Sequence, residues 1–212
     1  MSNQDDQLSR GERTRQAILE AASVLFLAQS YNGTSMRQIA QQAGIAVGGI
    51  YNHFSGKEDI FRALLESRSP YPEVIEIIQD LQSQQIEAGP DLVQAIFQYI
   101  PDLVLEHMDF IGLVFIDIQE FEGTTFRKLV STFIPYTLDV IKQAQHNGAF
   151  RDDLHPAALM VMLGSMLFGY ILTMQYAMPG DNPILPPIDP DQWRDMLLNV
   201  YLNGVMPQEE EQ

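Results

Sequence analysis

The chain of 212 residues contains no cysteine, and this absence excludes several kinds of chemistry. Without cysteine there can be no disulfide, no thiol nucleophile and no cysteine-bound zinc. Neither an H-E-x-x-H motif nor a phosphate-binding glycine loop is present, and the spacing of the four histidines is not that of a metal site (His53, His107, His146 and His155). We therefore predict that the protein is not an enzyme and that it has no catalytic residue, metal or cofactor.

Acidic pairs near the middle of the chain, Asp117 with Glu120 and Glu120 with Glu122, could in principle support acid–base catalysis. A solvated helix face explains such pairs more simply than a catalytic site does. We therefore expect these carboxylates to be exposed.

Basic residues are also scarce, because 12 lysines and arginines stand against 28 acidic residues and the net charge is −16. The imbalance is confined to one part of the chain. Residues 1–68 contain seven residues of each sign, so the remainder carries the whole negative charge. An acidic segment repels DNA at long range and favours solubility. The neutral segment is therefore the better candidate for a surface that binds a polyanion.

The two ends of the chain are polar and are not expected to join the core. Residues 1–9 lack the apolar run of a secretory signal, and we expect them to be disordered. Residues 207–212 are expected to form a solvated acidic tail. Between these ends, an apolar content of 46% over the whole chain is enough to bury a core, and a cytoplasmic location fits best.

Residues 34–57, TSMRQIAQQAGIAVGGIYNHFSGK, have the pattern of two short helices joined by a tight turn. Ser35 and Gln38 have the spacing of a capping box, which predicts the start of the first helix. Gly44 is expected to end that helix, since a positive φ is easily adopted by glycine. The pattern predicts a helix-turn-helix, a unit that places its second helix in the major groove of DNA.

The second helix and the start of the next one complete this pattern. Ile50 and Phe54 are four residues apart and predict the buried face of the second helix. Ser55 and Glu58 have the spacing of another capping box. Lys57 falls in the first turn of the helix that follows, where a positive charge does not favour the helix dipole, so we expect it to contact a phosphate.

A family resemblance is carried by Thr34-Ser35-Met36-Arg37-Gln38-Ile39-Ala40, Ala43-Gly44, Gly48, Tyr51, His53-Phe54 and Lys57. In this order the residues resemble the DNA-binding domain of TetR-family transcriptional regulators, specifically over about residues 11–68. The resemblance implies an all-α fold, with a three-helix DNA-binding domain at 10–69 and a helical ligand-binding and dimerisation domain at 70–206. It also implies a homodimer, usually a repressor, that a small ligand releases from a near-palindromic operator.

The predicted DNA-binding residues combine base-reading groups with phosphate contacts. Asn52 can make paired hydrogen bonds to adenine, and Val47 can touch a thymine methyl group. Two adjacent glycines, 48 and 49, cost a helix about 1 kcal/mol each but would let the backbone approach the groove. Tyr51 could instead be a core aromatic and His53 a plain surface histidine. The complete predicted set is Thr34, Ser35, Arg37, Ala46, Val47, Gly48, Gly49, Tyr51, Asn52, His53 and Lys57.

From residue 70 onward the pattern is helix after helix, separated by glycine and proline, with no strand alternation. One of these segments, 157–178, has no charged residue over 22 positions, which is long enough to cross a membrane. Its flanks carry no cluster of lysine or arginine to anchor it. In the TetR-like layout this helix would be buried in a four-helix bundle with its twofold mate. We therefore expect a soluble dimer helix and no membrane span.

The C-terminal part is rich in methionine and aromatic side chains, which suit either a pocket for an apolar ligand or an ordinary core. The predicted pocket residues are Phe115, Gln119, Tyr136, Met166 and Tyr170. With few basic residues nearby, we expect a neutral or cationic ligand rather than an anionic one. An alternative function is a helical protein–protein adaptor that has lost DNA binding, because Ala46 and Gly49 provide no side-chain donor.

Overall fold

The computed structural model describes residues 9–177 and 189–207, and every regular element in these ranges is helical. The predicted disordered N-terminus, apart from residue 9, and the predicted acidic tail, apart from residue 207, lie outside the described residues. The all-α fold class is confirmed. In chain order the helices are α1 (Arg10–Gly33), α2 (Met36–Gln42), α3 (Val47–Ile50), α4 (Lys57–Ser67), α5 (Tyr71–Ser83), α6 (Pro90–Glu106), α7 (Met108–Phe121), α8 (Thr124–His146), α9 (Pro156–Leu172) and α10 (Pro190–Val205), with a short π-helix, Thr173–Ala177, after α9.

The chain divides into two compact units, and the division is not purely sequential. The N-terminal unit contains the described residues up to Ser69 together with His107–Val130, and the C-terminal unit contains Pro70–Glu106 and the described residues from Ser131 onward. The first boundary coincides with the Ser69-Pro70 break. However, α7 and the start of α8, which the sequence analysis placed in the C-terminal domain, cluster with the N-terminal residues. The assignment of DNA-binding and ligand-binding roles to domains stays a prediction.

The core of the N-terminal unit follows the helical periodicity of its sequence. In α1, Ile18, Ala22 and Phe26 are spaced four residues apart on one face, and all three are fully buried. Burying each large side chain of this kind contributes roughly 1.5–3 kcal/mol. The other helices of the unit complete this core with fully or almost fully buried side chains: Ile39, Ala40, Ile50, Ile60, Phe61, Leu64 and Leu65.

The reason that α7 belongs to the N-terminal unit is its close packing on α1 and α4. Gly112 of α7 lies so near α1 that an added Cβ would stand 2.6 Å from Cδ2 of Leu27. At the end of α7, the ring of Phe121 stacks on Phe61 of α4 with 5.1 Å between centroids and meets Tyr31 edge-on at 4.8 Å. These contacts join residues that are 60 to 90 positions apart, and local sequence patterns do not report them.

The C-terminal unit is built around a separate core. Val74 and Ile78 of α5, Leu92 and Phe97 of α6, and Leu159 of α9 are buried in it. Tyr201 of α10 is also buried, and its hydroxyl donates a hydrogen bond to the carbonyl of Leu159 at 3.2 Å. A buried tyrosine with a satisfied hydroxyl stabilises the core without leaving an unpaired polar group.

The apolar segment that begins with α9 has a large exposed surface. By length and composition Pro156–Ala177 could cross a membrane, yet only 22% of its most apolar stretch is buried within this chain. Such a composition does not by itself distinguish a lipid-facing helix from one covered by protein. The inward side chains of α9 are Leu159, Leu167, Tyr170 and Ile171, so the helix presents a second apolar side outward.

Candidate nucleic-acid interface

The start of α2 has the predicted capping geometry. Ser35 is the N-cap, its backbone N–H donates to Oε1 of Gln38 at 2.8 Å, and its hydroxyl accepts from the Gln38 backbone N–H at 3.3 Å. At the other end of the helix, Gly44 has φ 70°, a left-handed conformation that favours glycine. Both predictions are confirmed, and together they set the length of α2 and the direction of the turn that follows.

The second helix of the motif, α3, has only four residues, so it is shorter than the spacing of Ile50 and Phe54 suggested. The chain continues as a helical turn in which the backbone N–H groups of His53 and Phe54 donate to the Ile50 carbonyl at 2.9 and 3.0 Å. Ile50 is fully buried and Phe54 is 3% exposed, which confirms the predicted inner face. These two anchors hold α3 against the core with its opposite side outward.

The outward side of α3 is open. Val47 is 39% exposed and Tyr51 is 56% exposed, so Tyr51 is not a core aromatic. A Cβ added to Gly48 would meet nothing within 4 Å, and one added to Gly49 would lie 3.8 Å from Cδ1 of Ile45. No packing requirement within the described chain therefore explains the two glycines. Ala46 and Asn52 are also exposed.

Thr34 and Ser35, both in the predicted DNA-binding set, differ in accessibility. Ser35 is exposed, whereas Thr34 is only 2% exposed. The Thr34 hydroxyl donates to the Ser30 carbonyl at 2.9 Å and accepts from Nε2 of Gln29 at 3.3 Å. Its side chain is thus engaged within the protein, where it stabilises the end of α1.

Lys57 is also engaged within the protein. Its Nζ donates to the carbonyl oxygens of Tyr31 and Thr34, each at 2.8 Å, and lies 4.0 Å from the centre of the Tyr31 ring. The sequence analysis gave this lysine a phosphate partner because its position opposes the dipole of α4. The structure supplies a different partner, the C-terminal carbonyls of α1.

The helix that Lys57 opens begins one residue later than the predicted capping box requires. Gly56 is the N-cap of α4, and it has no side chain with which to cap. Asp59, rather than Glu58, accepts hydrogen bonds from the Ser55 backbone N–H at 2.8 Å and from the Ser55 hydroxyl at 3.1 Å. The predicted Ser55–Glu58 box is therefore wrong, and Glu58 instead forms an ion pair with Arg62.

The remaining basic side chains among residues 9–69 lie at the surface or are partly exposed. Arg37 is exposed on α2, as are Arg10, Arg13 and Arg15 on α1, and none of the four forms an ion pair with another described residue. The guanidinium of Arg15 lies 5.0 Å from the centre of the Phe54 ring. His53 is partly exposed near the start of α1, where a Cβ on Gly11 would lie 3.9 Å from its Cε1.

The five predicted pocket residues are divided between the two units. Phe115 is 55% exposed and Gln119 is also exposed, and both belong to the N-terminal unit. Tyr136, Met166 and Tyr170 belong to the C-terminal unit. None of the five lines the cleft of about 700 Å³ between the ends of α5 and α8, or that of about 310 Å³ between α1 and the end of α4.

The hydroxyl groups of the two tyrosines have different surroundings. Tyr170 is buried and its hydroxyl donates to the Pro190 carbonyl at 3.3 Å. Tyr136 and Met166 are half-buried against the C-terminal core. The Tyr136 hydroxyl oxygen is buried and has no hydrogen-bond partner among the described residues, and burial raises the pKa of Tyr136.

Asp117, expected on a solvated face, is fully buried, so that expectation is wrong. Its carboxylate accepts hydrogen bonds from the backbone N–H groups of Thr125 at 3.3 Å and Phe126 at 2.9 Å. These groups lie in the first turn of α8, where helical N–H groups lack intrahelical partners. The chain reverses between α7 and α8 through Glu122 and Gly123, both with positive φ, and this reversal brings the carboxylate to the helix.

Comparison with known proteins agrees with this geometry. Residues 18–64 match the model of the family described as bacterial regulatory proteins, tetR family. The HTH-type transcriptional regulator SrpR of Pseudomonas putida is 38% identical over 73 residues, which are 34% of this chain and 34% of SrpR. The chain therefore aligns with only about a third of the length of that relative.

Two further similarities extend over most of the chain. A protein of Escherichia coli K12 named a probable acrEF/envCD operon repressor is 23% identical over 184 residues, 79% of each chain. The solved structure of the regulator FadR from Bacillus subtilis in complex with stearoyl-CoA is 16% identical, with a TM-score of 0.68, and the match covers 89% of this chain and 98% of that one. The similarity to the E. coli protein extends beyond the N-terminal unit. The FadR structure has the same fold as this chain. The predicted resemblance to the TetR family of bacterial regulatory proteins is confirmed over residues 18–64.

Proposed function

We propose that this protein is a DNA-binding transcriptional regulator that inserts α3 into the major groove. The observation that carries the proposal is the open outer side of α3, backed by the buried anchors Ile50 and Phe54. A helix held in this way can enter a groove without losing its support. The names of SrpR and of the E. coli repressor, both regulators, support the same function.

The proposed contacts fall into two groups. Val47, Gly48 and Asn52 lie on the outer side and would approach base edges, with Ala46 and Gly49 beside them. Ser35, Arg37, Tyr51 and His53 would contact phosphates and so set the position of the protein on the duplex. Because α3 offers few side-chain donors, the shape of the DNA would contribute more than usual to recognition.

The protein is further proposed to act as a homodimer in the cytoplasm, through the exposed sides of α9 and α10. On α9, Val161, Met162 and Phe168 are 59%, 49% and 42% exposed, and the exposed small residues Ser165 and Gly169 follow Val161 at four-residue helical spacing. On α10, Met196 and Val200 are 49% and 67% exposed. Apolar surfaces of this kind on neighbouring helices mark interfaces in soluble proteins. A twofold dimer would present two α3 helices to the half-sites of a near-palindromic operator.

The proposed regulation is release of a repressor by a small, largely apolar ligand bound in the C-terminal unit. A named repressor among the relatives and a structural neighbour solved with stearoyl-CoA support this part. Of the five predicted pocket residues, Tyr136, Met166 and Tyr170 lie in that unit. A buried hydroxyl without a partner costs about 1–3 kcal/mol, and a ligand with a hydrogen-bond acceptor would satisfy the one on Tyr136.

The DNA-binding proposal is tested by selecting bound duplexes from a random DNA library with purified protein, and by measuring affinity for the enriched duplex at several salt concentrations. We expect enrichment of an inverted repeat, with affinity that falls as salt rises. The variant Tyr51→Ala should lose most of that affinity while it remains folded. A folded dimer that enriches no sequence, before and after refolding to remove bound ligand, would favour the adaptor function instead.

The ligand proposal is tested with two probes of similar length, 2-undecanone and decanoate, using the shift in melting temperature as the readout. We expect the neutral ketone to stabilise the protein more than the carboxylate does, because the C-terminal part has few basic residues to balance a negative charge. Tyr136→Phe should reduce the stabilisation by the ketone, because the hydroxyl that would donate to its carbonyl is gone, without lowering the stability of the free protein. Tyr170→Phe is the matched control, because its hydroxyl is already bonded and its loss should cost about 0.5–1.5 kcal/mol. A Tyr136→Phe protein that is clearly less stable would show that this hydroxyl has a partner within the protein.

A further inference from the structure

The ammonium group of Lys57 binds backbone carbonyls of another helix. Its Nζ is 2.8 Å from the carbonyl oxygens of both Tyr31 and Thr34, and it stands over the Tyr31 ring. Desolvation lowers the pKa of Lys57, and the charge of Glu120 opposes that shift. An ammonium group has three N–H donors, so two of them are used inside the N-terminal unit.

Those carbonyls lie at the C-terminal end of α1, where a helix leaves carbonyl groups without intrahelical partners. The backbone of α1 is interrupted at Gln29 and Ser30, which have φ −138° and 66°, and the last turn contains no basic residue of its own. A cation is favourable at this end of a helix. Lys57 supplies it from α4.

The bond to Thr34 has a consequence for the DNA-binding motif. Thr34 and Ser35 share one planar peptide group. Its carbonyl oxygen is held by Lys57, and its N–H donates to Gln38 within the capping box of α2. A peptide plane bonded on both sides has a defined orientation, and the first turn of α2 follows directly from it.

We propose that Lys57 is a positioning residue, which supports DNA binding by fixing the start of α2 rather than by contacting phosphate. This inference rests on the proposed function, since it concerns how α2 and α3 are held for DNA. The two roles make different predictions for the salt dependence of binding. Loss of a phosphate contact makes the slope of log affinity against log salt less steep by about 0.9 for each DNA-binding motif of the dimer. Loss of a positioning contact leaves that slope unchanged.

The test compares Lys57→Met with Arg37→Met, using the duplex selected by the unmodified protein. We expect Lys57→Met to lower the melting temperature by about 4 °C or more. At a temperature well below melting, where all molecules are folded, its affinity should fall about tenfold with the salt slope unchanged. Arg37→Met, on the exposed side of α2, should leave the melting temperature unchanged and make log affinity depend less steeply on log salt.

Several results would overturn the proposal. The proposal fails if Lys57→Met leaves the stability unchanged, or if the folded variant binds DNA with normal affinity. It also fails if the variant loses salt dependence to the same extent as Arg37→Met. If Lys57→Met does not fold, Lys57→Arg serves instead, because it keeps the charge but not the compact ammonium geometry. It should lose stability and affinity at constant slope, and full retention of both would contradict positioning.

Failure of this inference is distinguishable from failure of the proposed function. If no duplex is selected, the DNA-binding proposal fails, yet the stability measurement still tests the bond between Lys57 and α1. Hydrogen exchange of the Ser35 amide gives a local readout, and it should be faster in Lys57→Met than in Arg37→Met. Equal exchange in the two variants would show that Lys57 does not hold the Thr34–Ser35 peptide.

Discussion

Gly48 shows how a single residue can separate folding from DNA binding. A Cβ at this position meets nothing within 4 Å, so the protein itself does not require glycine there. The residue nevertheless costs helix stability, which is consistent with a need for close backbone approach in the proposed complex.

We predict that Gly48→Ala stabilises the folded protein by about 0.5–1 kcal/mol and weakens DNA binding at least about tenfold. The stabilisation follows from reduced freedom of the unfolded chain, and the weaker binding from a methyl group placed in the groove. Denaturant unfolding and binding to the selected duplex measure the two effects. Gly33→Ala, where a Cβ makes only an ordinary contact 3.6 Å from Cβ of Gln29, is the control. Unchanged affinity in Gly48→Ala would show that α3 does not approach DNA at this point.

Asp117 is a second residue whose role depends on its surroundings. Its buried carboxylate accepts two backbone N–H groups in the first turn of α8. We predict that Asp117→Ala lowers the free energy of unfolding by about 1–3 kcal/mol, because those donors lose their partner in a buried site. Asp109→Ala, at an exposed position near the start of α7, should cost less than about 1 kcal/mol. Equal losses in the two variants would contradict the capping role.

At the scale of elements, α9 is apolar on the side that faces the C-terminal core and on the side that faces outward. A lone surface helix in a monomer normally has a polar outer side. The outward side therefore predicts that protein covers it, and the proposed twofold dimer provides that cover.

We predict that Phe168→Asp converts the dimer to a monomer in detergent-free buffer, because two carboxylates would be buried opposite each other without partners. Sedimentation velocity measures the change. Tyr99→Asp, at an aromatic residue of α6 that is 49% exposed against 42% for Phe168, is the control and should leave the dimer intact. A Phe168→Asp protein that still sediments as a dimer would place the interface elsewhere. Dependence of the unmodified protein on detergent for solubility would instead favour a membrane-bound helix.

At the scale of the whole molecule, the charge distribution limits how strongly electrostatics can contribute to DNA binding. Among residues 9–69, Arg62 and Arg68 are paired with Glu58 and Glu20, and Lys57 binds carbonyl groups. This leaves Arg10, Arg13, Arg15 and Arg37 available for phosphates. The acidic remainder of the chain adds a long-range repulsion.

We predict that log affinity for the selected duplex falls with log salt with a slope no steeper than about −7. This limit corresponds to four arginines in each of the two DNA-binding motifs of a dimer, with a contribution of about 0.9 to the slope from each arginine. Fluorescence anisotropy over a range of salt concentrations measures this slope. Arg37→Met should reduce it by about 1.8 in a dimer, by the same relation. A slope much steeper than −7 would mean that other basic groups reach the DNA.

The sequence by itself determined the features that depend on neighbours within about one turn of helix. The capping box at Ser35, the glycine turn at Gly44 and the buried anchors Ile50 and Phe54 were all predicted, because capping, φ preference and helical periodicity are local properties. The family resemblance also lies in this stretch. These local rules define α2 and its turn, though they overestimated the length of α3.

Only the tertiary structure decided which distant groups meet. The contact between Gly112 and Leu27, which helps to place α7 in the N-terminal unit, joins residues 85 positions apart. The burial of Asp117 depends on the reversal of the chain after α7, and the bonds of Lys57 depend on where α1 ends. The chemistry of each of these side chains permits several partners, and the fold selects one by bringing it within hydrogen-bonding distance.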